Sequence, residues 1–199
     1  MSGLKALPVS ELRRQLFSKA LQHVNSTGWS NRVLALAADE MGCSTALAGA
    51  VAPGGVYSLI EHVMKGWEKQ LRLDLTPESL AGMKKYQRIY KVLETRLKYE
   101  LPYLPRWSEA VYIGALPGNL PATSTRLLST FDTMWDIARN PIKEMTWVER
   151  QAYLTYVFST VEQHLLKASG DQATTWRYLE HQITQTHNYT RYTTNVSTT

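Results

Sequence analysis

Leu12, Leu16, Ala20 and Val24 stand one helical turn apart, and Gly28 follows the last of them. That stripe predicts a first helix stopped by glycine. Val33, Ala37 and Met41 carry a second helix behind the N-cap Ser30, closed by Gly42, and Ser44 caps a short third one, "TALAGAV", that ends at Pro53-Gly54-Gly55. Tyr57, Ile60, Met64, Trp67 and Leu71 mark a fourth. Thr76-Pro77-Glu78 reads as the start of a long fifth helix with the stripe Tyr86, Tyr90, Leu93, Leu97 and Leu101, ended by Pro102 and Pro105.

A short sixth helix is expected from about Trp107 to Leu116, and a seventh from Leu127, Leu128, Phe131, Trp135 and Ala138 to a stop before Pro141. Thr146 and Glu149 form a capping-box pattern for an eighth helix that is apolar on more than one side, as a central helix is. Asp171 opens a ninth, with Trp176, Leu179 and Ile183. The remaining "NYTRYTTNVSTT" shows no helical pattern. The fold class is therefore all-α, a bundle of about nine helices with short connections. The divisions expected are 1–73, 74–188 and a tail 189–199.

One segment breaks the amphipathic rule. "YIGALPGNLPAT", Tyr112 to Thr123, has two prolines, two glycines and no charge, although a helix junction is normally polar because its backbone groups must find water.

The 199 residues, 44% hydrophobic and 20% charged, are those of a globular chain. The single cysteine, Cys43, excludes an internal disulfide and any multi-cysteine metal site. Net charge is +5, and residues 84–106 hold Lys84, Lys85, Arg88, Lys91, Arg96, Lys98 and Arg106 against Glu94 and Glu100. Such a stripe suits an anionic partner or, equally, a solvated helix face. Residues 41–60 carry no charge, yet their Pro-Gly-Gly and many small and hydroxyl residues do not suit a membrane span. No secretory signal is visible, and "MSGLKALPVSELRRQLF" reads as an ordinary first helix rather than a targeting one.

Catalytic patterns are absent from the sequence. The five histidines fit no zinc-protease or di-iron spacing, "APGGVYS" lacks the lysine and hydroxyl of a phosphate loop, and Cys43 lies in an apolar run without a cation to activate it. The expectation is a protein that is not an enzyme, with no metal and no cofactor other than a bound lipid or quinone.

"FSKALQHVNSTGWSNRVLALAADEMGCSTALAGAVAPGGVYSLIEHVM" resembles the DNA-binding domain of tetracycline-repressor-type proteins. Its third helix, however, has no cation or amide with which to read bases or phosphates, so the helix-turn-helix is vestigial and sequence-specific DNA binding is not expected. In repressors of this shape the later helices form an apolar ligand pocket and a homodimer face. Trp107, Tyr112, Phe131, Trp135, Tyr153, Tyr156 and Phe158 would line such a pocket or fill the core.

"RLKYELPYLPRW", "ALPGNLP" and "DTMWDIA", followed by "TWVERQA" and "DQATTWRYLEHQI", resemble the mitochondrial coenzyme Q (ubiquinone) biosynthesis lipid-binding protein family, with similarity over roughly residues 11–186. The resemblance implies a non-catalytic protein with a repressor-like fold, placed in mitochondria and peripheral to the inner membrane on the matrix side. It would bind an isoprenoid or quinone precursor and present it to a hydroxylase partner. By matching position, Leu116, Pro117, Asn119 and Pro121 fall at the family's lipid-entry and partner surface, with Phe131, Asp132, Trp135 and Asp136 on the following helix. The family carries a further amphipathic C-terminal helix, for which residues 187–199 offer no counterpart. The second expectation is a paralogue recruited as an accessory structural subunit of a large inner-membrane assembly, a respiratory complex or the ATP synthase.

Overall fold

A computed structural model describes residues 8–139, 145–168 and 171–196. Among the described residues it is all-α. The helices are α1 (Val9–Thr27), α2 (Asn31–Glu40), α3 (Thr45–Val51), α4 (Val56–Asp74), α5 (Lys85–Lys98), α6 (Leu104–Ala115), α7 (Leu120–Ile137), α8 (Trp147–Lys167) and α9 (Gln172–Val196), with a 3-10 turn at Leu101–Tyr103. Pro141, expected to stop the seventh helix, and residues 1–7 lie outside the described residues.

The chain forms two compact units, Met1–Gly66 with Glu100–Ser124, and Trp67–Tyr99 with Thr125–Thr199. A boundary after residue 73 would give contiguous stretches. Instead residues 100–124 return to the first unit, and α4 and α7 each contribute to both.

In the first unit α1 packs on α2, α3 and α6, burying Leu16, Phe17, Ala20 and Val24. The turn from α1 to α2 explains its glycine. Gly28 has φ 84, and a Cβ there would stand 2.5 Å from Glu109 Oε2. That carboxylate accepts the Trp29 backbone N–H at 2.9 Å and pairs with Arg106 at 2.7 Å. The Trp29 ring then packs edge-on against Trp107 and Tyr103. Ser44 caps α3 as expected, its hydroxyl accepting from Leu47 N at 3.2 Å.

The second unit is centred on Arg96. This residue is 2% exposed, and its guanidinium lies 4.5 Å from the Trp67 ring centroid and 5.4 Å from that of Phe158. A planar cation between two rings keeps electrostatic stabilisation after losing water. Phe158 meets Phe131 edge-on at 5.6 Å, so α4, α5, α7 and α8 converge on one aromatic cluster. Thr133 on α7 donates to Glu68 at 2.9 Å and accepts from Arg72 at 2.8 Å, tying α7 to the second half of α4. The Thr146–Glu149 capping box forms at the start of α8, with Thr146 N donating to Glu149 Oε2 at 2.7 Å.

Three sequence expectations are corrected. The fifth helix starts at Lys85, not at Thr76, because Pro77–Gly82 coils into turns and Gly82 sits at φ 77. Pro105 does not end a helix. Its missing N–H costs nothing in the first turn of α6, which begins at Leu104. The segment from residue 189 continues α9 to Val196. No glycine or proline stands between Asp171 and Thr199 to stop it, and β-branched residues cost a helix only tenths of a kcal/mol each.

Charge also reads differently in three dimensions. Arg96 is buried, Lys91 and Lys98 share Glu94 at 3.1 and 2.8 Å, Arg106 is held by Glu109, and Arg88 Nε donates to the Met83 carbonyl. Lys84 and Lys85 alone of the stripe are exposed without an ion pair among the described residues. The stripe is chiefly internal bonding. Removing a buried charged side chain costs ~3 kcal/mol or more, whereas exposed lysines count for about 0.5 kcal/mol or less. Urea denaturation should therefore show a large loss for Arg96→Ala and almost none for Lys84→Ala or Lys85→Ala.

Acid should act on α8. Contacts from Thr146 hold the Glu149 carboxyl below its usual range. A depressed folded pKa means its contribution is complete above the ordinary glutamate value and is lost as pH falls through the lower folded value. Glu149→Gln should flatten the acid limb of a thermal-stability profile in that window and leave neutral pH little changed.

Candidate functional site

The uncharged junction belongs to the first unit. α6 ends at Ala115, Leu116 turns out into extended backbone, and α7 begins at Leu120 with Pro121 in its first turn. Several polar groups of this turn are met from within it. Asn119 N and Leu120 N both donate to the Leu116 carbonyl at 2.8 Å, and Asn119 Nδ2 donates to the Ile113 carbonyl at 2.9 Å. Tyr57 braces it, its hydroxyl 3.1 Å from Thr123 Oγ1. A Cβ on Gly114 would stand 3.3 Å from that same oxygen, so glycine lets α6 approach the start of α7 closely.

What faces outward is apolar. Tyr112 is 68% exposed, Leu120 48% and Leu116 37%, with Val111, Pro117 and Pro121 also exposed. Asn119 is half-buried by its turn. From Val111 to Thr125 there is no charged residue. This exposed, uncharged cluster is the candidate site.

The other expected residues lie on α7 in the second unit, on two faces of the helix. Phe131 and Trp135 point inward, Trp135 being 1% exposed, while Asp132 and Asp136 are on the surface. Asp132 Oδ1 accepts from Gln151 Nε2 at 2.7 Å and from Trp147 Nε1 at 3.1 Å, both on α8. Trp135 meets Tyr153 edge-on at 6.4 Å and lies under the Arg150 guanidinium at 5.6 Å. Burial pushes the Tyr153 phenol up, keeping it neutral. The indole N–H of Trp135 and the Nε–H of Arg150 are buried without an acceptor among the described residues.

Trp147, Arg150 and Gln151 are the partners that sequence reasoning missed. The signal was present: the capping box fixes where α8 starts, and residues 147 and 151, one turn apart, then share a face.

Of the expected pocket aromatics, Trp107, Phe131, Trp135, Tyr153 and Phe158 are buried core, while Tyr112 and Tyr156 are exposed. A cavity of about 330 Å³ lies between α5 and α9, and an open groove of about 540 Å³ beside α2 and α3. None of the residues expected to bind lipid lines either. Among the described residues no three His, Cys, Asp or Glu side chains are placed to hold a metal, and no helix is long and apolar enough to cross a membrane. The exposed side of α3, with Thr45, Ala46 and Leu47, is uncharged.

Residues 120–190 match the COQ9 family. The chain is similar to the mitochondrial ubiquinone biosynthesis protein COQ9-A of Xenopus laevis, 32% identical over 183 residues, which make up 88% of this chain and 57% of the relative. It is 28% identical to the mitochondrial ubiquinone biosynthesis protein COQ9 of Homo sapiens over 87% of this chain and 57% of that protein. With the probable mitochondrial ubiquinone biosynthesis protein coq9 of Dictyostelium discoideum, identity is 25% over 87% of this chain and 59% of the relative. The chain thus spans less than two thirds of the length of these relatives.

Trp135 and Asp136 are adjacent in sequence and opposite in role. Trp135→Ala should cost ~3–5 kcal/mol of stability, as truncation of a buried aromatic does. Asp136→Ala should stay within about 0.5 kcal/mol. Chemical denaturation of the two variants reads this directly.

Proposed function

The chain belongs to the COQ9 family, and on that premise we propose that it is a non-catalytic, lipid-binding protein of coenzyme Q biosynthesis. It works in mitochondria at the matrix face of the inner membrane, and an isoprenoid or quinone precursor is its ligand. The observation that carries this reading is the exposed, uncharged junction at residues 111–121. Leucine side chains moved from water into lipid gain ~1.5–3 kcal/mol each when fully transferred. A tyrosine beside them suits the boundary between headgroups and acyl chains. Several polar groups of this turn bond within it, which lowers the cost of bringing the segment to an apolar phase.

Asp132 and Asp136, exposed on α7, provide an acidic face for a protein partner of the hydroxylase type. Their placement leaves the carboxylates outward while the buried Phe131 and Trp135 secure the helix. Catalysis is no part of this role.

Leu116→Asp and Leu120→Asp test the reading. Both positions are exposed, so thermal stability should be retained. Sedimentation with vesicles of phosphatidylcholine, phosphatidylethanolamine and cardiolipin should show binding lowered roughly tenfold or more by either change, and mass spectrometry of the purified wild-type protein should find a copurified isoprenoid. Vesicle binding that ignores both substitutions, with no lipid retained, would overturn it.

A further inference from the structure

Two long stretches of the chain carry no charge, residues 41–60 and residues 111–125. They lie far apart in sequence, and the first unit brings them together. Asn31 Oδ1 on α2 accepts the Val56 N–H at 2.8 Å, and the next residue, Tyr57, has its hydroxyl 3.1 Å from Thr123 Oγ1. The uncharged junction therefore continues, across the start of α4, to the groove of about 540 Å³ beside α2 and α3.

That groove has no charged wall. Leu34, Ala48 and Ala52 supply its apolar part, and Asn31 and Thr45 its polar part. Outside it, Ala46, Leu47 and Ala50 stand exposed on α3, Leu47 at 38%. The glycine turn at its end bonds locally. Gly55 N donates to the Ala52 carbonyl at 2.8 Å, Gly54 N to Ser58 Oγ at 3.1 Å, and the Gly55 carbonyl accepts from Ser58 N at 3.0 Å. These groups keep their partners when water leaves, which lowers the cost of covering the turn. Protein partners are oriented by charged and polar pairs across the interface. This face has no charge to offer one, whereas an apolar phase needs area alone.

We propose that the α2–α3 groove and the exposed side of α3 form a second lipid-contact surface, continuous with residues 111–121, so that the first unit meets a bilayer through both uncharged stretches. The proposal rests on the lipid reading of the junction.

A reporter on α3 tests it. In a Cys43→Ser background, Ala50→Cys labelled with an NBD fluorophore should shift its emission to the blue when vesicles of phosphatidylcholine, phosphatidylethanolamine and cardiolipin are added. Without the label, Ala46→Asp and Ala50→Asp should each lower vesicle binding roughly fivefold or more, because a charge brought to an apolar contact must be dehydrated. Both positions are exposed, and circular dichroism melting checks that the variants are folded. An unshifted reporter, with Leu116→Asp still lowering vesicle binding, overturns this proposal and leaves the junction reading standing. Vesicle binding that ignores Leu116→Asp overturns the junction reading and this one with it. A blue shift that follows protein concentration in the absence of vesicles assigns the groove to a second copy of the chain, and overturns the lipid assignment.

Discussion

One buried cation organises the second unit. Arg96 has given up its water, and the faces of Trp67 and Phe158 are part of what replaces it. Dehydrating a guanidinium is expensive unless its new surroundings are correctly placed. The cost therefore fixes the position of α4 and α8 relative to α5, and Phe131 extends the constraint to α7 through Phe158. α9 is joined to α5 by direct packing, and the Lys98 ammonium lies 5.4 Å from the Trp176 ring centroid. An aliphatic core would tolerate small slides between helices. A planar cation between two rings does not.

Much of this was legible in the sequence, and the boundary of legibility is physical. Apolar periodicity located α1, α2, α4 and α8, because a helix that buries one stripe must repeat it. Caps at Ser44 and Thr146 were readable because the residue that ends or starts a helix acts within one turn of itself. Failures came where a local signal was outweighed by another. Thr76-Pro77 is a sound helix start, yet Gly82 follows too soon for a helix to establish itself. The Thr-rich end shows no helical pattern because its residues are poor helix formers, but a helix already nucleated at Gln172 propagates through them.

The candidate site was half legible. The uncharged run at residues 112–123 was visible as an anomaly, and the exposure of Tyr112, Leu116 and Leu120 gives it a physical meaning. The motif alone groups the α7 residues as one surface, whereas helix geometry separates them into a buried aromatic pair and an exposed acidic pair. Sequence adjacency does not report which side of a helix a residue takes until the core direction is known. The partners of Asp132 on α8 required the tertiary pairing of α7 with α8, which no pattern within either helix contains.

The fate of the basic residues on α5 reaches beyond packing. Formal charge of +5 describes the chain on paper, but Arg96 is sealed among rings, and Lys91 and Lys98 are spent on a single carboxylate. Counterions gather around charges that face water unmatched, and only their release makes association respond steeply to ionic strength. Of the stripe at residues 84–106, only Lys84 and Lys85 are exposed without an ion pair among the described residues. Whatever ionic-strength dependence this stripe confers therefore falls mainly on two side chains rather than on seven.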